Sequence, residues 1–464
     1  MNPRARTLTL IGLCLALFMT LLDSTVVNLA LPTIASDLGV RLSGLQWIVD
    51  AYVLVLASLL LSAGALGDRW GRRNVFVAGM VAFDAGSLVC ALAPTLPVLI
   101  AGRVVQGAGA AALLPGTMSI LASAFPGERD RARAIGVWSG TSGLALLLGP
   151  PVGGVLVRYV GWPSIFYLNV PLGLVAIVLA LRVFPDSGER RRGADVPGQV
   201  LAVIALTTLT YALIEGNRHG WRTPLIAGLL AVAVVAFAAF ATVEARREDP
   251  MLPLRMFTAV RFAAANAVIF LVGFGLLGSF FFLSLYLQQV QGYSPAEAGT
   301  RLLPVMAAVV VAAPLSGRLA GRFGSRGPMT AGLTVAGAGL LLLITVGPHT
   351  GYGSWWPYLV LLGLGLGLTM APTNAAIVGS VDGRQAGTAS AIGMTSQQVG
   401  SLIGIALLGA IVGAGTGVGT SVRTSADAFA DGMHRAFLVA GIAFLSGAVI
   451  ALATQGRGAP VSES

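Results

Sequence analysis

The sequence predicts an all-α polytopic membrane protein with fourteen transmembrane helices. Three observations support this fold class. Hydrophobic residues make up 56% of the 464 residues and charged residues only 10%, whereas soluble domains carry roughly 25% charged residues. Apolar runs long enough to cross a bilayer, roughly 20 residues, recur along the whole chain. Short stretches rich in glycine, proline or arginine separate these runs.

The fourteen apolar segments follow one another with short connections. They lie at residues 8–31, 46–66, 75–93, 97–123, 134–157, 163–182, 198–214, 223–243, 263–288, 297–317, 328–346, 356–380, 388–414 and 436–454. The first segment follows a positively charged start, as in a signal peptide. It is of full spanning length and lacks a small-residue cleavage site, so we expect a retained helix.

Arginine supplies all 29 basic residues, and its distribution predicts the orientation. When the loops are assigned alternately to two sides, twenty-one arginines fall on the side of both termini and seven on the other, and Arg103 lies inside a span. Basic loops are cytoplasmic in most membrane proteins. We therefore expect both termini in the cytoplasm and the chain in a bacterial cytoplasmic (inner) membrane, surrounded by lipids. Because the arginines form no single patch, we expect no nucleic-acid partner.

Composition also excludes several chemistries. Without lysine there is no Walker P-loop, pyridoxal Schiff base or protein kinase site. Cys14 and Cys90 lie in apolar runs, and His219, His349 and His434 are scattered over loops, so we predict no metal site and no cofactor. Intramembrane enzymes need acid clusters, metal ligands or nucleophile–base pairs. Since none is found, we predict that the protein is not an enzyme, and short loops argue against a receptor.

An internal repeat predicts the domain organisation. Gly64–Arg73 (GALGDRWGRR) follows the second segment, and Gly317–Arg326 (GRLAGRFGSR) follows the tenth. Both loops fall on the same side, which indicates a parallel repeat of six helices. We therefore predict an N-terminal six-helix bundle at 8–182, an inserted helix pair at 198–243 and a C-terminal six-helix bundle at 263–454.

The first of these loops resembles the loop between helices 2 and 3 of the major facilitator superfamily. Further motifs lie at Arg103–Ala111 (RVVQGAGAA), Gly149–Gly154 (GPPVGG), Leu22–Pro32 (LDSTVVNLALP) and Phe166–Gly173 (FYLNVPLG). Together with fourteen segments they resemble the drug:proton antiporters of that superfamily, over essentially the whole chain. One glycine of the glycine–proline motif is replaced by Ala145. The resemblance implies a major facilitator fold and export driven by the proton gradient.

Four residues are candidates for proton coupling. Asp23 lies inside a span, where an acid costs roughly 2.5–3.5 kcal/mol and is a functional candidate by default. Arg103 lies at a similar depth and is its natural partner; it cannot give up its own proton. Asp50 and Asp84 are further acids within spans. Each also has a structural interpretation: an acid that only ties helix 1 to a neighbour by hydrogen bonds for Asp23, a static ion pair for Arg103, simple hydration for Asp50, and a hydrogen-bonded acid for Asp84.

Gating and substrate residues are predicted less directly. The resemblance implies a latch between the halves in the loop after the second segment, and the glycine–proline motif suggests a hinge, with plain packing as the alternative. The gating candidates are Asp68, Arg69, Gly71, Arg73, Gly149, Pro150, Gly153 and Gly154. The substrate-binding candidates are Asp50, Tyr52, Phe281, Tyr286, Gln397 and Gln398, of which the aromatic residues can equally face lipid or packing neighbours.

The predicted function is proton-coupled export of hydrophobic drugs or antibiotics, cationic ones among them, by alternating access. The alternative is a proton symporter or facilitator for a small metabolite, against which the glycine–proline motif argues. We expect a small drug-like substrate, protons as the coupling ion and a monomer. The identity of the substrate cannot be read from the residues.

Overall fold

The structure is a computed structural model that describes residues 2–185, 195–416 and 426–455, without the side chains of Asp68, Arg384, Gly415 and Thr416. Its long helices match the fourteen predicted segments in order. They are α1 Pro3–Leu38, α2 Leu42–Trp70, α3 Arg72–Ala91, α4 Leu96–Ala124, α5 Glu128–Tyr159, α6 Ser164–Val183, α7 Val196–His219, α8 Pro224–Arg246, α9 Val260–Val290, α10 Pro295–Phe323, α11 Arg326–Leu343, α12 Tyr352–Gly379, α13 Ala386–Thr416 and α14 Ala426–Thr454. The described residues contain no strand, which confirms the all-α class.

Most helices are longer than the apolar segments from which they were predicted. Within the described ranges, thirteen are long and apolar enough to cross a membrane. The fourteenth predicted segment is α11, a helix of 18 residues. Local signals outside the apolar runs explain the extra length. Glu128 and Asp130 occupy the first turn of α5, where acids complement the helix dipole. Ser294 and Glu297 form a capping box that starts α10.

The helices pack as two bundles with an added pair. Helices α1–α6 pack against one another, and α9–α14 do the same. Helix α7 lies against α2 and α13, and α8 packs mainly on α7. Trp47 of α2 donates from Nε1 to Glu215 Oε1 of α7 at 3.3 Å. In α8 the buried residues are only Ile226, Ala233, Ala236 and Glu244. The pair therefore covers the junction of α2 with α13 and leaves most of α8 exposed.

The two loops of the sequence repeat have the same backbone feature. Gly71 has φ 88 and Gly324 has φ 78, a region that side-chain-bearing residues rarely adopt. These two glycines are equivalent positions in the repeat. The side of the molecule that holds the α2–α3 and α10–α11 loops is called the arginine-rich side below, and the other is the opposite side.

The described contacts between the bundles cluster at the opposite side. Gly154 of α5 lies against the backbone of Pro295 and Ala296 in α10. Midway along α5, a Cβ on Gly143 would still be 3.5 Å from Val310. Nearer the arginine-rich side, no described atom beyond the helix's own backbone lies within 4 Å of a Cβ built on Gly136. The bundles therefore meet at the opposite side and separate toward the arginine-rich side.

Candidate functional site

An ion pair between α1 and α4 lies at the centre of the N-terminal bundle. Arg103 Nη1 is 2.5 Å from Asp23 Oδ2, and the two side chains are each 1% exposed. Neighbouring helices enclose both side chains, so their charges have little access to water. The structure thus brings together the two residues that the sequence analysis paired.

Uncharged side chains complete the coordination of the Asp23 carboxylate. Its Oδ1 accepts from Gln106 Nε2 at 3.2 Å and from Asn169 Nδ2 at 3.1 Å. Gln106 Nε2 and Asn169 Nδ2 also reach Ser87 Oγ, at 2.7 and 3.3 Å. The carboxylate is therefore held by residues of α4 and α6, with α3 behind them.

The guanidinium of Arg103 is held independently of the carboxylate. Its Nε donates to the Ile48 carbonyl of α2 at 3.0 Å, and Nη1 donates to Gln106 Oε1 at 2.8 Å. Its Cζ lies 4.3 Å from the ring centroid of Tyr52, close enough for a cation–π contact. Tyr52, predicted as a substrate residue, thus contacts the ion pair.

A single proton on the Asp23 carboxyl would change the net charge of this arrangement. Arginine remains charged in proteins, whereas a carboxyl can take up a proton. Protonation of Asp23 would remove the counter-charge but leave Arg103 its bonds to Ile48 and Gln106. A buried pair that loses one partner is destabilised strongly, so a proton on Asp23 would leave Arg103 as a costly buried charge.

The two other predicted acids lie outside this network. Asp50 is 0% exposed and Asp84 is 6% exposed, and neither carboxyl has a hydrogen-bond partner among the described residues. Asp84 lies over Gly173 of α6, where a Cβ would overlap its carboxyl. The interpretation of Asp50 as a hydrated acid was wrong, because its position near the helix end was taken as exposure although neighbouring helices enclose it.

The glycine–proline motif of α5 lies at the contact between bundles. A Cβ on Gly149 would be 2.9 Å from Thr25 Cβ of α1, and one on Gly153 would be 2.7 Å from Val26 Cγ1. A Cβ on Gly154 would overlap the Pro295 carbonyl, and one on Gly299 of α10 would overlap the Pro150 carbonyl. The glycines therefore let α5 approach α1 on one face and α10 on another.

The remaining gating candidates lie at the arginine-rich side. Arg69 is exposed, Arg73 is half-buried and Gly71 forms the turn between α2 and α3. The side chain of Asp68 lies outside the described part of the molecule, so the latch remains a prediction.

The substrate candidates in the C-terminal bundle lie apart from the ion pair. Phe281 and Tyr286 of α9 are 0% exposed, and Tyr286 donates from its hydroxyl to the Gly347 carbonyl at 2.7 Å. Gln397 and Gln398 of α13 are half-buried, and the Gln397 carbonyl lies against Gly273 of α9.

Sequence reasoning assigned no site role to Gln106, Asn169 or Ser87. A signal was present for the first two, because each is a polar residue within one of the helix motifs. Amides inside a span carry no charge, however, and can bond to their own helix backbone, so only the packing of α4 and α6 against α1 shows that they reach Asp23.

Comparison with known proteins agrees with this architecture. The model of the Major Facilitator Superfamily matches residues 13–405. An inward-facing, unoccupied structure of a bacterial homologue of the human lysosomal transporter Spinster has a TM-score of 0.69 and 17% identity, covering 99% of this chain and 100% of that one. At this identity the likeness shows the fold alone.

Several relatives by sequence are resistance proteins. The multidrug resistance protein Stp of Mycobacterium tuberculosis is 39% identical over 88% of this chain and 76% of the relative. The tetracenomycin C resistance and export protein of Streptomyces glaucescens is 38% identical over 86% and 75%. The methylenomycin A resistance protein of Streptomyces coelicolor is 41% identical over 84% and 82%.

Proposed function

This chain belongs to the major facilitator superfamily, and from that premise we propose that it exports hydrophobic drugs or antibiotics, some of them cationic, in exchange for protons. The family consists of membrane transporters and not enzymes. Relatives named for multidrug resistance and for tetracenomycin C export support drug export. The observation that carries proton coupling is the buried Asp23–Arg103 pair with its amide partners.

The coupling we propose follows from charge. In the arrangement described above, Asp23 is matched by Arg103 and by two amide donors, Gln106 and Asn169. A proton that reaches Asp23 cancels its charge and weakens the tie between α1 and α4. Substrate binding that favours the paired arrangement would then release that proton. Exchange results because substrate and proton stabilise different arrangements of the same bundle.

Asp50 and Asp84 have a second role in this proposal. An unpaired buried carboxylate is costly, so each of these acids takes either a proton or a cationic group. They are our candidates for additional proton sites and for contacts with cationic substrates. The exchange of neutral substrates for protons would then depend on Asp23 alone.

The proposed transport cycle uses the contacts of α5 with α10. We assign the arginine-rich side to the cytoplasm of a bacterial inner membrane, with both termini there. In the structure the bundles meet at the opposite side, so substrate enters from the cytoplasm. Opening to the outside requires the backbone contacts at Gly154 and Gly299 to separate. We propose 8–182 and 263–454 as the moving bundles, with the 198–243 pair between them, in a monomer.

The test is transport by the purified protein in liposomes with an imposed pH gradient. Ethidium, tetracenomycin C and methylenomycin A serve as probes, and proton movement is recorded together with probe movement. Protons should move opposite to the probe, whereas the alternative, a symporter, moves both in one direction. Asp23→Asn should abolish the response to the gradient. The control Asp130→Asn changes an exposed acid that lies 3.9 Å from Arg6 and should behave as wild type. Proton movement that persists in Asp23→Asn would refute the role of Asp23 in proton coupling.

A further inference from the structure

A cavity of about 210 Å³ lies under the inserted helix pair, away from the Asp23 cluster. Its walls come from α2, α7, α8, α9, α13 and the segment between α8 and α9. The lining includes Ser58, Ala202, Phe237, Phe240, Met251 and Thr395. Helix α7 packs on both α2 and α13, so the pair roofs a gap between the two bundles.

The lining is apolar except for a few hydroxyls. Phe237, Phe240, Phe257 and Phe270 contribute aromatic rings, and Met251 a flexible thioether. None of the described lining residues carries a charge. An apolar cavity of about 150 Å³ is enough to bind benzene, so this one accommodates a substituted ring or the ring-bearing part of a larger molecule.

Two of the hydroxyls lack partners. Ser58 Oγ of α2 and Thr395 Oγ1 of α13 are buried and have no hydrogen-bond partner among the described residues. Ser58 is 6% exposed. Buried polar groups are nearly always satisfied, and these two lie on the walls contributed by opposite bundles. They are placed to bond a ligand that carries its own polar group.

The roof of the cavity is anchored by charged residues outside it. Asp195 Oδ1 accepts from Arg247 Nη1 at 2.6 Å, and Glu244 Oε2 accepts from the Leu252 backbone at 2.7 Å. Ser62 Oγ donates to Met251 Sδ at 3.2 Å. These bonds join the start of α7, the end of α8 and the following segment to α2. They therefore hold the inserted pair in the position that forms the cavity.

We propose that this cavity binds a neutral, ring-bearing molecule with one hydrogen-bonding group, and that it is where the exported substrate enters between the bundles. The role of the cavity in export rests on the proposed function, whereas the binding of the molecule does not. Among the described residues the lining offers no acid to a cation, unlike the surroundings of Asp50 and Asp84. Phe237 is 38% exposed, so one wall extends to the outer surface of α8. A molecule dissolved in the membrane therefore has a short path to the site.

Photolabelling of the purified protein in lipid nanodiscs tests the binding site without a pH gradient. The probe is a neutral phenol bearing an aryl diazirine, and labelled positions are mapped by mass spectrometry. Labelling should concentrate on lining residues of α2, α8 and α13 and should be competed by the non-photoactivatable phenol. Thr395→Val removes one hydroxyl and should weaken competition roughly 2–12-fold, the effect of one hydrogen bond.

The matched variants add the same side chain to two helices of the pair. Ala202→Phe fills the cavity from α7 and should abolish saturable labelling. Ala238→Phe adds a ring to an exposed position of α8 and should leave it unchanged. Labelling spread over lipid-facing residues, equal labelling in both variants, or a phospholipid acyl chain held in the cavity would overturn the proposal. Asp23→Asn should label as wild type, so a failure of proton coupling is distinguishable from a failure of this site.

Discussion

Gly154→Ala should disturb the contact that closes the opposite side. The added Cβ would overlap the Pro295 carbonyl and lie 2.8 Å from Ala296 Cα. Both neighbours are backbone atoms and cannot rotate away. Helices α5 and α10 must therefore move apart, which weakens or breaks this contact.

The size of the effect follows from the type of contact. Overpacking costs roughly 1–3 kcal/mol, which shifts an equilibrium between two conformations roughly 5–150-fold. Gly→Ala also favours a helix by roughly 0.5–1 kcal/mol. Gly136→Ala in the same helix has that gain without the clash, because no described atom outside the helix backbone is within 4 Å of its Cβ position. The difference between the two variants isolates the clash.

The assay is electron–electron distance measurement in nanodiscs. Spin labels replace Tyr159 at the end of α5 and His349 in the α11–α12 connection, both exposed positions on the opposite side. Cys14 and Cys90 are first replaced in the parent protein. Gly154→Ala should shift the distances toward longer values, and Gly136→Ala should leave them unchanged. Identical distributions in the two variants would refute the closure by α5 and α10.

Two stability predictions follow from the site and the loops. Arg103→Met leaves Asp23 buried without a counter-charge, so denaturant unfolding in micelles should show a loss of about 3–5 kcal/mol; adding Asp23→Asn should restore part of it, and a further loss would contradict the pairing. Gly71→Ala places a side chain at φ 88 and ψ 130, a sparsely populated region, and should lower the unfolding free energy by about 1–3 kcal/mol. Gly64→Ala, with open space at its Cβ position, is its control, and equal losses would argue against backbone strain.

The fold was predictable because the membrane imposes a strong constraint. A backbone that crosses lipid must satisfy its own hydrogen bonds, so each apolar run of sufficient length had to be helical. Helix ends were harder, since caps such as Ser294 and αL residues such as Gly39 lie beyond the apolar runs. The repeat of Gly71 at Gly324 was visible because the same turn needs the same residue.

The candidate site was predictable only where charge made it visible. Asp23 and Arg103 could be identified because a charge inside a span needs a partner. Asp50 was misjudged because distance along the helix axis measures depth and not enclosure by neighbouring helices. The cavity under α7 and α8 gave no sequence signal, since its residues, from Ala57 to Val399, come together only through packing.

The central claim is that substrate and proton compete through Asp23. Calorimetric titration in two buffers of different ionisation enthalpy measures the protons released when a substrate binds. The probe is whichever of ethidium, tetracenomycin C or methylenomycin A is transported best. Wild type and Asp130→Asn should release the same number of protons on binding, whereas Asp23→Asn should bind the probe and release fewer. Binding without proton release in wild type, or the same release in Asp23→Asn, would contradict the account.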